Sequence, residues 1–146
     1  MATARQIRQY AYDVDLVAKA AGLVAADAGH TIVTVGDAVF KGAAVIDVTA
    51  IETASTDERY VIHVQGSTSA SFASDIQNLA AVELGATAIR SGGAITSLTG
   101  RYELLFVNEQ AGITYPYIRL YTDVSGTIAT GINFSAFFAR DVLGAA

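Results

Sequence analysis

From Thr31 onward, apolar and polar residues alternate with a period of two over most of the chain, as expected of strands that bury one face. Over 43–51, Ile46, Val48 and Ala50 alternate with Val45, Asp47 and Thr49. Over 59–65, Tyr60, Ile62 and Val64 alternate with Val61, His63 and Gln65. The runs 31–35, 101–107, 113–124 and 132–139 are rich in β-branched and aromatic residues, and glycines such as Gly29, Gly36, Gly42, Gly66 and Gly100 punctuate them. The segment 70–84 fits two periods. Phe72, Ile76, Leu79 and Glu83 suit a helix face, whereas Ile76, Asn78, Ala80, Val82 and Leu84 suit a strand; a turn followed by a strand ending at Gly85 is the favoured reading. Residues 108–112 read as a hairpin loop, and Pro116 inside the run 113–124 demotes that part to an edge or bulge, because proline cannot donate to a ladder.

Before Thr31 the pattern is ambiguous. Ile7, Tyr10 or Ala11, Val14, and Val17 or Ala18 recur near helical spacing, while Tyr12, Val14 and Leu16 alternate with Asp13 and Asp15. The chain is therefore predicted to be all-β: a jelly roll, or two-sheet antiparallel β-sandwich, of seven or eight strands forming one domain over 29–146, with an N-terminal arm or short helix over 1–28. The expected core comprises Val33, Ile46, Val48, Tyr60, Ile62, Val64, Leu104, Phe106, Ile118, Leu120, Phe134 and Phe138.

One stripe stands out from this pattern. The alternation over 113–123 sets Tyr115, Tyr117, Arg119 and Tyr121 on one face, opposite Ile118, Leu120 and Val124. Tyrosine and arginine without ordinary solubilising lysine or glutamate is a composition enriched at protein interfaces. Packing against a second sheet of the same domain is the other reading.

Composition narrows the function classes. At 146 residues, with no cysteine, the chain is long enough to bury a core without disulfides or metals, and thiolate chemistry is excluded. Hydrophobic residues make up 52% and charged ones 16%, yet no apolar run reaches the length of a membrane span, so neither a membrane nor a spanning segment is expected. Such an apolar chain is expected to hide surface in an assembly. Net charge is −5, and because Arg5 and Arg8 are the only charges before Asp13, the remainder carries −7. That balance argues against a nucleic-acid partner. Asp13 and Asp15 interrupt the place where a signal peptide needs its apolar region, although Ala18-Lys19-Ala20 resembles a cleavage site, so cytoplasmic synthesis is expected.

Candidate chemistry is sparse. His30 and His63 have no acidic or nucleophilic neighbour at triad or metal-motif spacing, and Gly92-Gly93 lacks the lysine of a phosphate loop. The acid pairs Asp13/Asp15 and Asp57/Glu58 suit calcium or acid–base work only if folded into one pocket; solvated loop acids are the expected outcome. Asn133-Phe-Ser135 matches a glycosylation sequon inside a strand, where it is expected to be idle. No catalytic, cofactor-binding or metal-binding residue is assigned, and no enzyme activity is expected.

Taken in order, Phe40-x-Gly42-x-x-Val45-Ile46-Asp47-Val48, Asp57-Glu58-x-Tyr60-x-Ile62-x-Val64-Gln65-Gly66-Ser67, Leu84-Gly85, Gly100-Arg101-Tyr102-Glu103, Asn108-Glu109, Tyr117-x-Arg119-Leu120 and Gly126-Thr127-x-x-Thr130-Gly131 form a string over roughly 40–139. It resembles the jelly-roll capsid cement proteins of tailed bacteriophages, of the Bordetella phage type. The resemblance implies a virion protein on the capsid exterior that binds the major capsid protein, bridges neighbouring shell subunits and associates with itself as a homodimer or other small symmetric oligomer. It brings no catalytic residues and no cofactor. In that setting the interface residues are expected to be Tyr115, Tyr117, Arg119 and Tyr121, with Arg5 and Arg8 on an arm that docks on acidic shell surface. The alternatives are a carbohydrate-binding, lectin-like jelly roll whose tyrosines stack on sugar rings and, more weakly, a small hydrolase using an acid pair.

Overall fold

Residues 10–91 and 93–140 are described by a computed structural model; Arg5 and Arg8 lie outside the described residues. Eleven strands follow a single 3-10 turn at Val14–Leu16: β1 (Val17–Val24), β2 (Ala28–Gly29), β3 (Val33–Thr34), β4 (Lys41–Ile51), β5 (Arg59–Ser67), β6 (Gln77–Gly85), β7 (Gly100–Val107), β8 (Glu109–Gln110), β9 (Ile113–Thr114), β10 (Tyr117–Ser125) and β11 (Ile132–Arg140). One sheet has the order β1-β11-β4-β7 and the other β2-β10-β5-β6, with β3 also on β10.

Counting β2 with β3 as one strand and setting the small hairpin β8–β9 aside, the first strand pairs the eighth, the second the seventh, the third the sixth and the fourth the fifth, all antiparallel. One long hairpin rolled on itself produces that set of pairings, and the fold is a jelly roll. Between the two sheets lie Ile46, Val48, Tyr60, Ile62, Val64, Leu84, Ile118, Leu120, Ile132, Phe134 and Phe138, all at most 3% exposed. The core positions predicted from alternation are buried, except that Leu104 is only partly so.

Three features depart from the sequence pattern. Residues 17–24, placed in an arm or short helix, form β1, an edge strand on β11. Two register shifts, at Val17/Lys19 and Lys19/Gly22, break the alternation that would have revealed it. Lys19 serves this irregular edge: only 8% exposed, it extends Nζ to the carbonyls of Ala20, Gly22 and Phe134 at 2.8–2.9 Å and over the Phe134 ring at 4.6 Å. Pro116 does not mark an edge strand either. It falls in the gap between β9 and β10, and β10 is an inner strand flanked by β5 and by β2 and β3. Finally, 108–112 is more than a loop: β8 and β9 pair there around Ala111 (φ 53°) and Gly112 (φ 79°), the two left-handed residues of a tight hairpin turn.

Candidate functional site

The outer face of the second sheet is built on β10, where Ile118, Leu120 and Thr122 point into the core and Tyr117, Arg119, Tyr121 and Asp123 point away from it. Opposite them, β5 presents His63 across from Tyr121 and Gln65 across from Arg119, and β6 presents Asn78 across from Gln65. A chain of hydrogen bonds crosses the three strands: Arg119 Nε donates to Gln65 Oε1 at 3.0 Å, and Gln65 Nε2 donates to Asn78 Oδ1 at 3.0 Å. Alongside it, His63 Nε2 meets Asp123 Oδ2 at 2.8 Å, and Arg59 pairs with Glu83 at 2.7 Å. That contact holds the Glu83 carboxyl below the usual carboxylate range, with the Arg59 hydrogen bond as the main cause.

The loop between β5 and β6 folds back over this face. Ser67 Oγ donates to the Ser74 carbonyl, Thr68 Oγ1 donates to Asp75 Oδ2, and the Phe72 amide donates to the Ser69 carbonyl. These ties hold Phe72 in the left-handed region (φ 54°) with its ring 4.4 Å from the Arg119 guanidinium carbon and only 6% of the residue exposed. Tyr121 flanks the same guanidinium at 5.4 Å. Beneath it runs Gly29, where a Cβ would stand 2.7 Å from Nη1. Enclosure by these groups lowers the Arg119 pKa, because burial disfavours the charged form.

Tyr117, Arg119 and Tyr121 thus share one half-buried face as the sequence predicts, but Tyr115 leaves it. The alternation stops at Pro116, and Tyr115 packs against Gly66, whose register partner is the core residue Ile118; it is 6% exposed and closes one end of the sandwich. Phe72, Asn78 and Gly29 were not expected here. Nothing in the serine-rich run 67–75 signals that its phenylalanine returns to the sheet, whereas Gln65 already shares the outward period of His63.

The remaining candidates have structural partners. Asp57 accepts from the amide and hydroxyl of Thr127 at 3.0 and 2.8 Å, which holds its carboxyl below the usual range, while Glu58 is fully buried and accepts from the Ser55 amide at 2.6 Å. The two carboxylates therefore do not share a pocket mouth. Asp13 caps the 3-10 turn by accepting from the Asp15 amide. Among the described residues no group of three or more His, Cys, Asp or Glu is placed to hold a metal, and no helix of the described residues is long and apolar enough to cross a membrane.

Outside the first sheet, a cleft of about 580 Å³ is lined by Tyr12, Lys19, Asp47, Arg101, Ser135 and Phe137 among others. Arg101 Nε and Nη2 donate to the two Asp47 carboxylate oxygens at 2.7 and 3.1 Å, and Tyr12 stands edge-on to Phe137 at 5.5 Å.

No protein-family model, curated protein or solved structure matches this chain.

His30 ties the two sheets at the β1/β2 edge. Its Nε2 lies 2.8 Å from Thr122 Oγ1, its ring stands edge-on to Phe134 at 5.6 Å, and the neighbouring Thr31 amide donates to the Ala18 carbonyl across the edge. Burial, then the charges of Lys19 and Arg119, push its pKa down to about 4. A histidine whose folded pKa lies below its unfolded value of about 6.5 costs nothing above that pH. As pH falls from there to about 4 the unfolded chain takes up the proton first, so stability is lost across that window and levels off below it. Allowing for solvent screening of a partly exposed ring, the loss is roughly 2 kcal/mol. Urea melts between these pH values should show it, and His30→Asn should flatten this pH dependence; an unchanged slope would remove His30 as the cause.

Proposed function

We propose that this chain is a structural docking protein, and that its role is that of a capsid cement protein: it seats on the exterior of a phage shell, bridges neighbouring major capsid subunits, and associates with itself as a homodimer or other small symmetric oligomer. The observation that carries the reading is the outer face of the second sheet, where Tyr117, Arg119 and Tyr121 share an inner strand and Arg119 is held by Gln65, itself tied to Asn78, and flanked by Phe72 and Tyr121. Aromatic side chains and arginine held rigid on a sheet lose little conformational freedom on docking, which favours binding to a folded surface. The jelly-roll fold and the ordered string of motifs in 40–139 support the capsid setting. Bridging two shell subunits makes the second contact intramolecular once the first has formed, so modest individual contacts add up to a strong clamp.

Co-expression with the major capsid protein of the same genome tests this directly. The chain should sediment with assembled shells, and electron cryomicroscopy should show its density outside them. Free in solution it should sediment as a dimer or small oligomer. Shells recovered from the same cells with none of the chain bound to them would overturn the assignment. A carbohydrate-binding role is the second reading, favoured by the cleft over the first sheet, where Tyr12, 66% exposed, and Phe137 stand beside the Asp47–Arg101 pair and Ser135. A glycan array showing selective binding lost in Tyr12→Ala would support it.

A further inference from the structure

We propose that Arg119 is a preformed receptor for a carboxylate carried on an aspartate or glutamate side chain of the docking partner. This rests on the docking reading above and names the chemistry that the face recognises. Arg59 and Arg101 each meet a carboxylate of their own sheet, Glu83 and Asp47, at 2.7 Å. Arg119 has no such partner among the described residues; Gln65 accepts from its Nε, and neither Nη atom has an acceptor there. The guanidinium is nonetheless aimed. Its Nε is fixed by Gln65, whose amide is oriented in turn by Asn78, and its face is fixed by Phe72 and Tyr121. Gly29 leaves room for Nη1 where any side chain would displace it.

Two costs in this arrangement are only partly offset within the chain, by the Gln65 hydrogen bond, the ring contacts and the ties that hold the loop. A cation is half withdrawn from water without a counter-charge, and Phe72 adopts a backbone conformation that bulky residues avoid. Strain and desolvation concentrated at one point mark sites that act on something else. A carboxylate approaching the two free Nη groups would form the paired, charge-assisted hydrogen bonds for which guanidinium geometry is suited. Two observations favour a protein side chain. Arg119 does not line the cleft over the first sheet, and its half-buried guanidinium leaves a small acid the two Nη groups as its contact. Asp123 and the net charge of −5 disfavour a polyanion, which would have to place further charges around that single cation.

The test follows the Arg119 Nε–Hε signal by NMR in arginine-labelled full-length protein, assigned through Arg119→Lys, during titration with an end-capped Ala-Ala-Glu-Ala-Ala peptide, which carries a single carboxylate. The Ala-Ala-Gln-Ala-Ala counterpart, N-acetylneuraminate and inorganic phosphate serve as the other arms. A saturable shift with the glutamate peptide and none with its glutamine counterpart is expected. Phe72→Ala, with melting and circular dichroism as folding checks, should weaken the response several-fold by freeing the guanidinium. No shift with the glutamate peptide, or a stronger response to the sugar acid or to phosphate, would overturn the assignment. In shell binding, Arg119→Gln and Arg119→Lys should both lose affinity at least tenfold, because the lysine restores charge without the paired geometry. Wild-type affinity in either folded variant would also overturn it. Failure of the wild type itself to bind shells would count against the cement reading alone, since the peptide titration decides the carboxylate site without them.

Discussion

Replacing Asn108 by alanine should destabilise the fold by about 2 to 5 kcal/mol, because it leaves two buried backbone groups without partners at roughly 1–3 kcal/mol each. Asn108 is fully buried. Its Oδ1 accepts from the Phe40 amide at 2.6 Å, and its Nδ2 donates to the carbonyls of Tyr115 and Ala38 at 3.0 and 3.2 Å. Its own amide donates to the Phe40 carbonyl, and its carbonyl accepts from the Tyr115 amide. One side chain therefore joins the start of β4, the end of β7 and the chain just before β10. Phe40 and Tyr115 are 2% and 6% exposed, so water has poor access to the groups that truncation would orphan. Asn108→Asp keeps the shape but cannot donate, and it would set a carboxylate against the Tyr115 carbonyl; it should be at least as damaging as alanine at neutral pH. Denaturant unfolding of both variants, with hydrogen exchange of the Phe40 amide, checks this. A loss below about 1 kcal/mol would mean that water replaces the side chain.

The fold was legible in the sequence wherever burial is one-sided and regular. β10 and β11 are such strands, while in β4 and β5 the alternate apolar positions still fall in the core although neighbours such as Val45 and Val61 are buried as well. Alternation misleads where the backbone breaks step. β1 carries two register shifts and buries a lysine, so its alanine-rich sequence matched an arm or a helix as well as a strand. At Pro116 the period resets, and Tyr115, nominally in phase with Tyr117, turns to the core end. Asn108 looked like the first residue of a polar loop because the buried acceptors and donors it serves lie 7 and 68 or more positions away. The site was half legible for the same reason. Arg119, Tyr117 and Tyr121 share one strand and so share a period, but Phe72 reaches Arg119 from a loop 47 positions earlier, held there by serine, threonine and aspartate hydrogen bonds that also occur in ordinary turns.

Gly126→Ala should cost about 3 kcal/mol or more, through two separable effects. At φ 101° the residue sits where a Cβ is strained whatever surrounds it, which alone accounts for about 1–3 kcal/mol. In addition, a Cβ at this position would stand 2.1 Å from the Asp57 carbonyl oxygen and 2.6 Å from its carbon, and those are backbone atoms that a rotamer change cannot move aside. Relief requires the 52–58 loop to withdraw, which would open the Asp57–Thr127 hydrogen bonds that hold it to the turn before β11. Gly112 separates the two effects. It too has positive φ, at 79°, but nothing lies within 4 Å of its Cβ direction, so Gly112→Ala should show the conformational cost without the collision. Unfolding free energies for the two variants should differ by more than about 1 kcal/mol, Gly126→Ala being the weaker. In that variant the Thr127 amide should also lose protection in hydrogen exchange while Phe106 on β7 keeps it until global unfolding. Equal losses at the two positions would show that the loop yields freely, and that the close approach of Gly126 to Asp57 does not hold this end of the jelly roll together.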